Sequence, residues 1–366
     1  MNNFSIQDFD REEQTSHASS LVQMVLDRNK EQSRLFCSPD AQLARRRYRA
    51  LHPTEIAWFK CMDGRLNGPV ITRTPVGIIQ PFRNLAGSFD LGWPYLGELV
   101  QRWVEEAVKH GRYCMPFITY HWSKSDKYKG CRGHDYDVEK AKTDARRLLQ
   151  AIEYGLGAGH KIVYPILTGI ETDEDTMVLN GINDEEFDLS MALEMSVEEL
   201  RQKIRELFPD MKEAMSDDLL PLLQGNIAHI KNLRKNPRTV EEMVHAEQIL
   251  AIGRGFDWMH WLNKALIIGP YSYDLAEPIR TAADIILNNI REGRISTHDG
   301  ALLMISGVYE EATGSSPKFA ELKARSLESF ALKVINESVP DLLPHLHILS
   351  GTVDTNTRLF TPLNIK

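Results

Sequence analysis

Residues 56–65 of the chain read IAWFKCMDGR, a short apolar run that ends at a cysteine. A run of this length with bulky side chains, closed by Asp63-Gly64, predicts a buried β-strand. The strand would carry Cys61 at its C-terminal end. The segment therefore predicts both one element of a sheet and a reactive thiol placed where that element ends.

Similar apolar runs recur along the chain and alternate with amphipathic helical patterns. Leu96, Val100 and Trp103 lie on one such helical face, which ends near Gly111. The alternation predicts an α/β fold with mostly parallel sheets. Pro116 inside one run predicts an edge strand or a bulge. The expected strands are 76–80, 115–120, 161–167, 262–268, 301–305 and 346–349, and the expected helices are 96–108, 137–155, 274–289 and 319–334.

Changes in composition and in predicted secondary structure divide the chain into four predicted parts. Residues 1–50 are polar and helix-prone, which predicts an N-terminal helical arm. Residues 51–180 form an α/β domain that includes Cys61. A charged helical connecting segment follows at 181–236, and 237–366 form a second α/β domain.

Two helix starts carry recognisable signals. Ser196 with Glu199 fits a capping box, in which the two side chains cap each other's backbone N–H groups. Thr239 with Glu242 fits a second one, which we expect to open a helix that carries His245.

Composition restricts the class of protein. The chain has 366 residues, 42% of them hydrophobic, and a formal net charge of −8, which argues against a nucleic-acid partner. No stretch approaches the roughly 18 apolar residues needed to cross a bilayer. The N-terminus has no secretory pattern, and four cysteines make no disulfide framework. We therefore expect a cytoplasmic protein with no membrane partner.

Three residues far apart in the chain are candidate metal ligands. Cys61, His121 and Cys131 together provide two thiolates and one imidazole. This set suits tetrahedral Zn²⁺, which is catalytic when its fourth position stays open to water. The alternative is that the cysteines are small buried apolar residues and that His121 is a hydrogen-bonded core residue.

Two charged residues follow Cys61 at a spacing of two. In an extended segment, Asp63 and Arg65 would project to the same side as Cys61. Asp63 could accept a hydrogen bond from a zinc-bound hydroxide or occupy the fourth position itself. Arg65 could hold Asp63 in a bidentate contact.

Other candidates lie nearby. His134 is a rival ligand three residues after Cys131, but we prefer a histidine at a strand end because strands place ligands rigidly. Cys114 is assigned to the core. The acidic residues Glu171, Asp173 and Asp175 could bind Ca²⁺ or Mg²⁺, although a solvated loop is the preferred interpretation.

These residues resemble a known family. The pattern Cys61-x-Asp63-x-Arg65, the segment 83–87, and a following histidine and cysteine resemble the β-class carbonic anhydrases. Nine residues separate His121 from Cys131, where ordinary members have two. That spacing, with segments 121–126, 130–131 and 169–175, is similar to the carboxysomal shell carbonic anhydrase branch over about residues 54–180.

The resemblance implies an architecture and a set of roles. Segment 245–263 resembles the C-terminal domain of that branch, a degenerate copy of the catalytic fold without metal. The fold would then be two β-carbonic-anhydrase-like α/β halves that pair within one chain, plus the N-terminal arm. The first half would be the zinc-binding catalytic domain. Zn²⁺ would bind to Cys61, His121 and Cys131, with Asp63 and Arg65 as a catalytic dyad and His245 as proton acceptor or substrate-positioning residue.

The expected reaction is the reversible hydration of CO₂ to bicarbonate by zinc-bound hydroxide. Two alternatives stay open: a hydrolase of carbonyl sulfide or carbon disulfide, and a non-enzymatic assembly protein with structural zinc. A homodimer or larger oligomer is plausible. Carboxysomal members carry a longer N-terminal region than the roughly 50 residues here, so we do not expect shell or Rubisco association, and a carboxysomal location is the alternative to the cytoplasm.

Overall fold

A computed structural model describes residues 15–157, 162–259 and 261–363 of the chain. Two sheets organise it, with helices packed against both, as the α/β prediction requires. The first has the strand order β2-β1-β3-β4-β5-β6; β1 to β4 run parallel, and β5 and β6 are antiparallel. Its strands are β1 Glu55–Cys61, β2 Ile79–Asn84, β3 Cys114–Trp122, β4 Ile166–Glu171, β5 Thr176–Asn180 and β6 Glu186–Asp188.

The second sheet repeats this order of strands. It is arranged β11-β10-β9-β7-β8, with β7 to β10 parallel and β11 antiparallel. The sequence β2-β1-β3-β4-β5 in the first sheet therefore has the same topology as β8-β7-β9-β10-β11 in the second. The strands of the second sheet are β7 Ile249–Gly253, β8 Ala265–Ile268, β9 Ala301–Tyr309, β10 Leu346–Asp354 and β11 Phe360–Pro362.

Helices connect the strands and cover the sheets. In both sheets one long helix precedes the third strand of the repeat and another follows it: α4 and α5 in the first, α9 and α10 in the second. Among the described residues no helix is long and apolar enough to cross a membrane. The helices are α1 Thr15–Cys37, α2 Pro39–Leu51, α3 Gly68–Ile71, α4 Pro94–Lys109, α5 Val138–Leu156, α6 Val197–Leu207, α7 Glu213–Lys235, α8 Val240–Met243, α9 Ala276–Arg291 and α10 Ser316–Ser338.

Backbone hydrogen bonds join the two sheets beside the end of β1. The N–H of Ile267 donates to the carbonyl of Met62 over 2.7 Å, and the N–H of Gly64 donates to the carbonyl of Ala265 over 3.0 Å. The N–H of Gly269 likewise donates to the carbonyl of Arg83. Strand β8 thus fixes the loop that follows Cys61.

The N-terminal helix α1 packs on the second sheet. Leu21 and Val25 are buried in the cluster that includes Ile249. Asn29 donates through Nδ2 to the carbonyl of Arg358 and accepts from the N–H of Phe360, at 2.9 and 2.7 Å. Helix α1 and the segment that leads into β11 are therefore held together by one asparagine, which accepts from one backbone group and donates to another.

The expected edge position of Pro116 is wrong, because β3 lies between β1 and β4. The N–H of Cys114, two residues earlier, donates to the carbonyl of Ile162, on the β4 side of β3. Residues two apart in a strand have the same orientation, so the nitrogen of Pro116 also faces the β4 side. An isolated parallel bridge joins Cys114 to Val163, and continuous pairing of β3 with β4 begins only at Phe117 opposite Ile166. A proline without an N–H group is tolerated at position 116 because it lies in the gap between the bridge and the continuous pairing.

Three further element predictions are wrong in position. The strand expected at 76–80 is β2 at 79–84; it accommodates Pro81 because it is the edge strand of its sheet. The strand expected at 161–167 begins at Ile166, and residue 161 lies outside the described residues. Both capping boxes are present, but α8 ends at Met243, so His245 lies in a segment without regular secondary structure and not on a helix.

Candidate metal centre

Three buried side chains converge where strands β1 and β3 end. Cys61 is the last residue of β1, His121 is the penultimate residue of β3, and Cys131 follows in the loop before α5. Their ligand atoms all lie within 4.8 Å of one another, and the three residues are 3–6% exposed. Among the described residues this is the one such cluster of metal-ligating side chains.

The donor set fits a soft or borderline metal cation such as Zn²⁺. Both ring nitrogens of His121 are buried and have no hydrogen-bond partner in the protein, a costly arrangement that a metal bond to one nitrogen would relieve. The two sulfurs are 4.0 Å apart; their mutual hydrogen bond lowers the pKa of Cys61 and raises that of Cys131. Two thiolates at this distance repel, so a cation between them is needed for both to ionise.

Asp63 and Arg65 form a buried ion pair beside this cluster. Arg65 donates to the Asp63 carboxylate from its backbone N–H at 2.8 Å, from Nε at 3.0 and 3.1 Å and from Nη2 at 2.6 Å. Burial would raise the pKa of Asp63, but the charge and hydrogen bonds of Arg65 outweigh it and hold that pKa well below its usual value. The carboxylate is not part of the metal-ligand cluster. It therefore stays ionised next to the cluster, oriented by the guanidinium.

Groups that the sequence did not indicate hold Arg65 in place. Its Nη1 donates to Thr172 Oγ1 at 3.2 Å and its Nη2 donates to the carbonyl of Lys129 at 2.7 Å. Thr172 follows β4, and Lys129 lies in the loop that carries Cys131. The guanidinium thus ties the end of β1 to the ligand loop. The charge of Arg65 predicted a contact with Asp63. The contact with the backbone carbonyl of Lys129 could not be predicted, because every residue type carries such a carbonyl.

The second sheet supplies one wall of the site. A cavity of about 490 Å³ is lined by all three cluster residues and the ion pair, and also by His245, Glu247 and Leu266. His245 Nδ1 lies 3.1 Å from Glu247 Oε1, whereas its Nε2 is buried without a partner. Asn289 of α9 donates to Glu247 Oε2 at 3.1 Å. The predicted residue His245 is therefore part of the same site, oriented by a carboxylate that the sequence did not single out for a role.

A protein-family model corresponds to this half of the molecule. The model described as the carboxysome shell carbonic anhydrase catalytic domain matches residues 49–244, more than half of the chain. The chain belongs to the carboxysome shell carbonic anhydrases. The predicted resemblance is confirmed, and the matched region includes β1 to β6 and ends one residue before His245. Among curated proteins none matches the chain.

The rival candidates His134 and Cys114 lie outside the ligand cluster. His134 is buried with its Nε2 3.8 Å from Asp144 Oδ2, outside the ligand cluster. Cys114 is buried in the core, where burial raises the pKa of its thiol to about 12. A thiol so reluctant to ionise is a poor metal ligand.

The solvated loop expected at 171–175 is wrong, because Glu171 and Asp175 are buried. Glu171 accepts backbone N–H bonds from Lys124, Asp173 and Glu174 at 3.0–3.2 Å. Asp175 pairs with Arg238 and with His229 Nε2, the latter at 2.9 Å. These carboxylates close the turn between β4 and β5 and form no metal cluster among the described residues.

Proposed function

We propose that the chain is a zinc enzyme that reversibly hydrates CO₂ to bicarbonate. The observation that carries the proposal is the buried Cys61–His121–Cys131 cluster beside the Asp63–Arg65 pair, in a chain of the carbonic anhydrase family. Zinc prefers this sulfur and nitrogen ligand set. When bound, it would lower the pKa of water toward neutrality and supply hydroxide for attack on CO₂.

The ion pair would orient the nucleophile. Asp63 is an ionised acceptor whose position Arg65 fixes, so it can accept a hydrogen bond from an O–H group but cannot donate one. This selects an orientation of the nucleophile with a lone pair directed toward CO₂. Three donors of Arg65 engage Asp63, so its carboxylate would act as a hydrogen-bond acceptor beside the three residues that would hold the metal.

His245 would remove the proton that CO₂ hydration releases with bicarbonate. Its Nδ1 faces Glu247, which favours the tautomer with a proton on Nδ1 and a free lone pair on Nε2. That Nε2 has no protein partner, and His245 lines the same cavity as the ligands. The carboxylate of Glu247 would stabilise the imidazolium once it forms.

The test of the function is a stopped-flow measurement of CO₂ hydration together with metal analysis of the purified protein. We expect about one zinc per chain and hydration well above the buffer background. Zinc without hydration, combined with release of sulfide from carbonyl sulfide or carbon disulfide, would support the hydrolase alternative. Zinc with neither activity would support an assembly protein.

A prediction for His245 separates proton transfer from substrate conversion. In weak buffer, His245→Ala should lower kcat about 100-fold, the scale of general-base catalysis, while kcat/KM and zinc content stay unchanged. Added imidazole should restore kcat. Glu247→Gln should lower kcat less than His245→Ala, because the amide oxygen can still accept the hydrogen bond from Nδ1 and hold the ring in place. Unchanged kcat in His245→Ala at low buffer would contradict the role.

We also propose that the second half, from β7 onward, is a metal-free copy of the first. The repeated strand order and the matching positions of α4, α5, α9 and α10 support this. Strand β7 ends at Gly253 where β1 ends at Cys61, and the chain has no cysteine after Cys131. The division of the chain into an N-terminal arm (1–50), a catalytic domain (51–180), a connecting segment (181–236) and a second α/β domain (237–366) is part of this proposal.

The family description names the carboxysome shell. A carboxysomal location of this chain is the alternative to the cytoplasmic one predicted from the sequence, and oligomerisation is likewise a proposal. Sedimentation of the purified protein, alone and with shell proteins, would test both.

A further inference from the structure

A buried arginine that does not line the metal cavity is bonded to the turn that contacts Arg65. Arg238 lies between α7 and α8, and its side chain is 9% exposed. Its Nη1 donates to the carbonyl of Thr172 at 2.8 Å and to that of Asp173 at 3.4 Å, and its Nη2 donates to the carboxylate of Asp175. These three residues lie between β4 and β5. One guanidinium group thus ties that turn to the segment that follows α7.

Asp175 anchors this guanidinium group. It is buried, and its Oδ2 lies 2.9 Å from Nε2 of His229 on α7. Burial would raise the pKa of Asp175, but the hydrogen bonds from His229 and Arg238 and the charge of Arg238 outweigh it and lower that pKa. Asn226, also on α7, donates through Nδ2 to the backbone carbonyl of Asp175 at 2.8 Å. The ionised carboxylate is therefore held against α7, and Arg238 is held with it.

Thr172 connects this arrangement to the metal site. Its Oγ1 accepts from Nη1 of Arg65 at 3.2 Å and donates to the carbonyl of Trp122 at 3.0 Å. Its backbone N–H donates to the same carbonyl at 2.8 Å. The hydroxyl proton is thus committed to Trp122 and an oxygen lone pair to Arg65, while the carbonyl of Thr172 is bound by Arg238. A movement of the turn would therefore move an acceptor of the guanidinium that orients Asp63.

We propose that Arg238 is a positioning residue for the Asp63–Arg65 pair and acts through Thr172. Nε and Nη2 of Arg65 are engaged by Asp63 and by the carbonyl of Lys129, which leaves Thr172 Oγ1 as the described acceptor for Nη1. A buried N–H group that loses its acceptor is costly, so the guanidinium would reorient and turn the carboxylate with it. The effect on catalysis rests on the proposed function.

The first test is kcat for CO₂ hydration in Arg238→Gln, measured together with zinc content and circular dichroism. We expect kcat to fall by about 10- to 100-fold with zinc unchanged, because a small displacement of a catalytic group by a distant change has an effect of this size. Arg234→Gln is the matched control and should keep kcat unchanged. Arg234 pairs with Glu174 of the same turn at 2.7 and 2.8 Å, but both side chains are partly exposed. Unchanged kcat in Arg238→Gln, or equal losses in both variants, would overturn the proposal.

Arg238→Lys separates charge from position. Lysine supplies a positive charge for Asp175, but its single nitrogen does not reproduce the planar fork that binds Asp175 and the carbonyl of Thr172 together. We expect the urea midpoint of Arg238→Lys to lie closer to that of the unmodified chain than the midpoint of Arg238→Gln does, while kcat stays low. Recovery of kcat together with stability would show that the charge alone matters and would refute a route through Thr172.

A double-mutant cycle tests the route itself. Thr172→Val removes the acceptor of Arg65 and should lower kcat by a factor similar to that of Arg238→Gln. If both changes displace the same guanidinium, their effects on kcat should not add, and the double variant should resemble either single one. Additive losses, or recovery of kcat on addition of imidazole, would place the effect of Arg238 on the segment that leads to His245 and would contradict the proposal.

Urea unfolding of the same four proteins provides a readout that does not depend on activity. The shifts of the midpoint caused by Thr172→Val and Arg238→Gln should also fail to add, because in Arg238→Gln the bond from Arg65 to Thr172 is already weakened. Additive shifts would refute the link between Arg238 and Arg65. Shifts that do not add, in a chain that does not hydrate CO₂, would refute the proposed function and leave the link in place.

Discussion

Cys61→Ser should abolish zinc binding and lower CO₂ hydration by more than about a thousandfold, because the metal is what brings the pKa of water from about 15.7 to near 7. Cys61, the last residue of β1, is one of the three candidate ligands, and a neutral hydroxyl would neither balance the metal charge nor match its preference for sulfur. Metal analysis and stopped-flow hydration on the same preparation measure both effects. Stoichiometric zinc and an unchanged rate in the variant would refute the assignment.

The same substitution elsewhere provides the control. Cys37 is half-buried in α1, with its thiol 3.8 Å from the carbonyl of Thr357. Cys37→Ser places a hydroxyl at the same acceptor, so zinc content and hydration rate should match those of the unmodified chain. A loss in both variants would point to a general effect of cysteine replacement on folding.

Asp63→Asn should reduce both activity and stability while zinc stays bound. The amide NH₂ would face the N–H donors of Arg65, which would then lie buried without a counter-ion. Removing one partner of a buried ion pair costs about 3–5 kcal/mol. Loss of one preorganised polar group at a reacting centre lowers kcat by about 10²–10³. Urea unfolding, hydration kinetics and zinc content give the three readouts.

An exposed ion pair provides the control for the loss of stability expected in Asp63→Asn. Glu98 and Arg102 pair across one turn of α4 at 3.2 Å, with both side chains 65% exposed. Glu98→Gln makes the same change from carboxylate to amide and should cost less than about 1 kcal/mol. Equal losses of stability in Asp63→Asn and Glu98→Gln would contradict the description of Asp63–Arg65 as a buried ion pair. Zinc loss in Asp63→Asn would instead place Asp63 among the ligands.

The cluster of Cys61, His121 and Cys131 could be predicted from sequence because thiol and imidazole side chains are typical metal ligands whatever surrounds them. Cys61 and His121 stand at the ends of apolar runs, and a strand end places a side chain in a fixed position whatever lies around it. Cys131 was predictable because a thiol in a polar turn is poorly explained by burial. The alternation of strands and helices likewise indicated the α/β class, since periodicity reports burial directly.

Features that depend on contacts across the fold could not be predicted in this way. Pro116 was assigned to an edge because its missing N–H is a local property, whereas the start of the β3–β4 ladder is set by where β4 begins. Glu171 and Asp175 were assigned to solvent because charge usually indicates exposure. Two of their partners, the backbone N–H of Lys124 and the side chain of Arg238, lie on segments that only the folded chain brings to this turn. Thr172 was missed for the same reason.

The hydrogen bonds from β8 to the loop after Cys61 impose an order on metal loading during synthesis. All three candidate ligands have been synthesised once residue 131 is made, but Ala265 and Ile267, which close the loop, follow roughly 130 residues later. At 5–20 residues per second, that interval is about 7–30 s. For that interval the loop after Cys61 lacks its hydrogen-bond partners in β8, so the candidate metal site is completed only after the second sheet has been made.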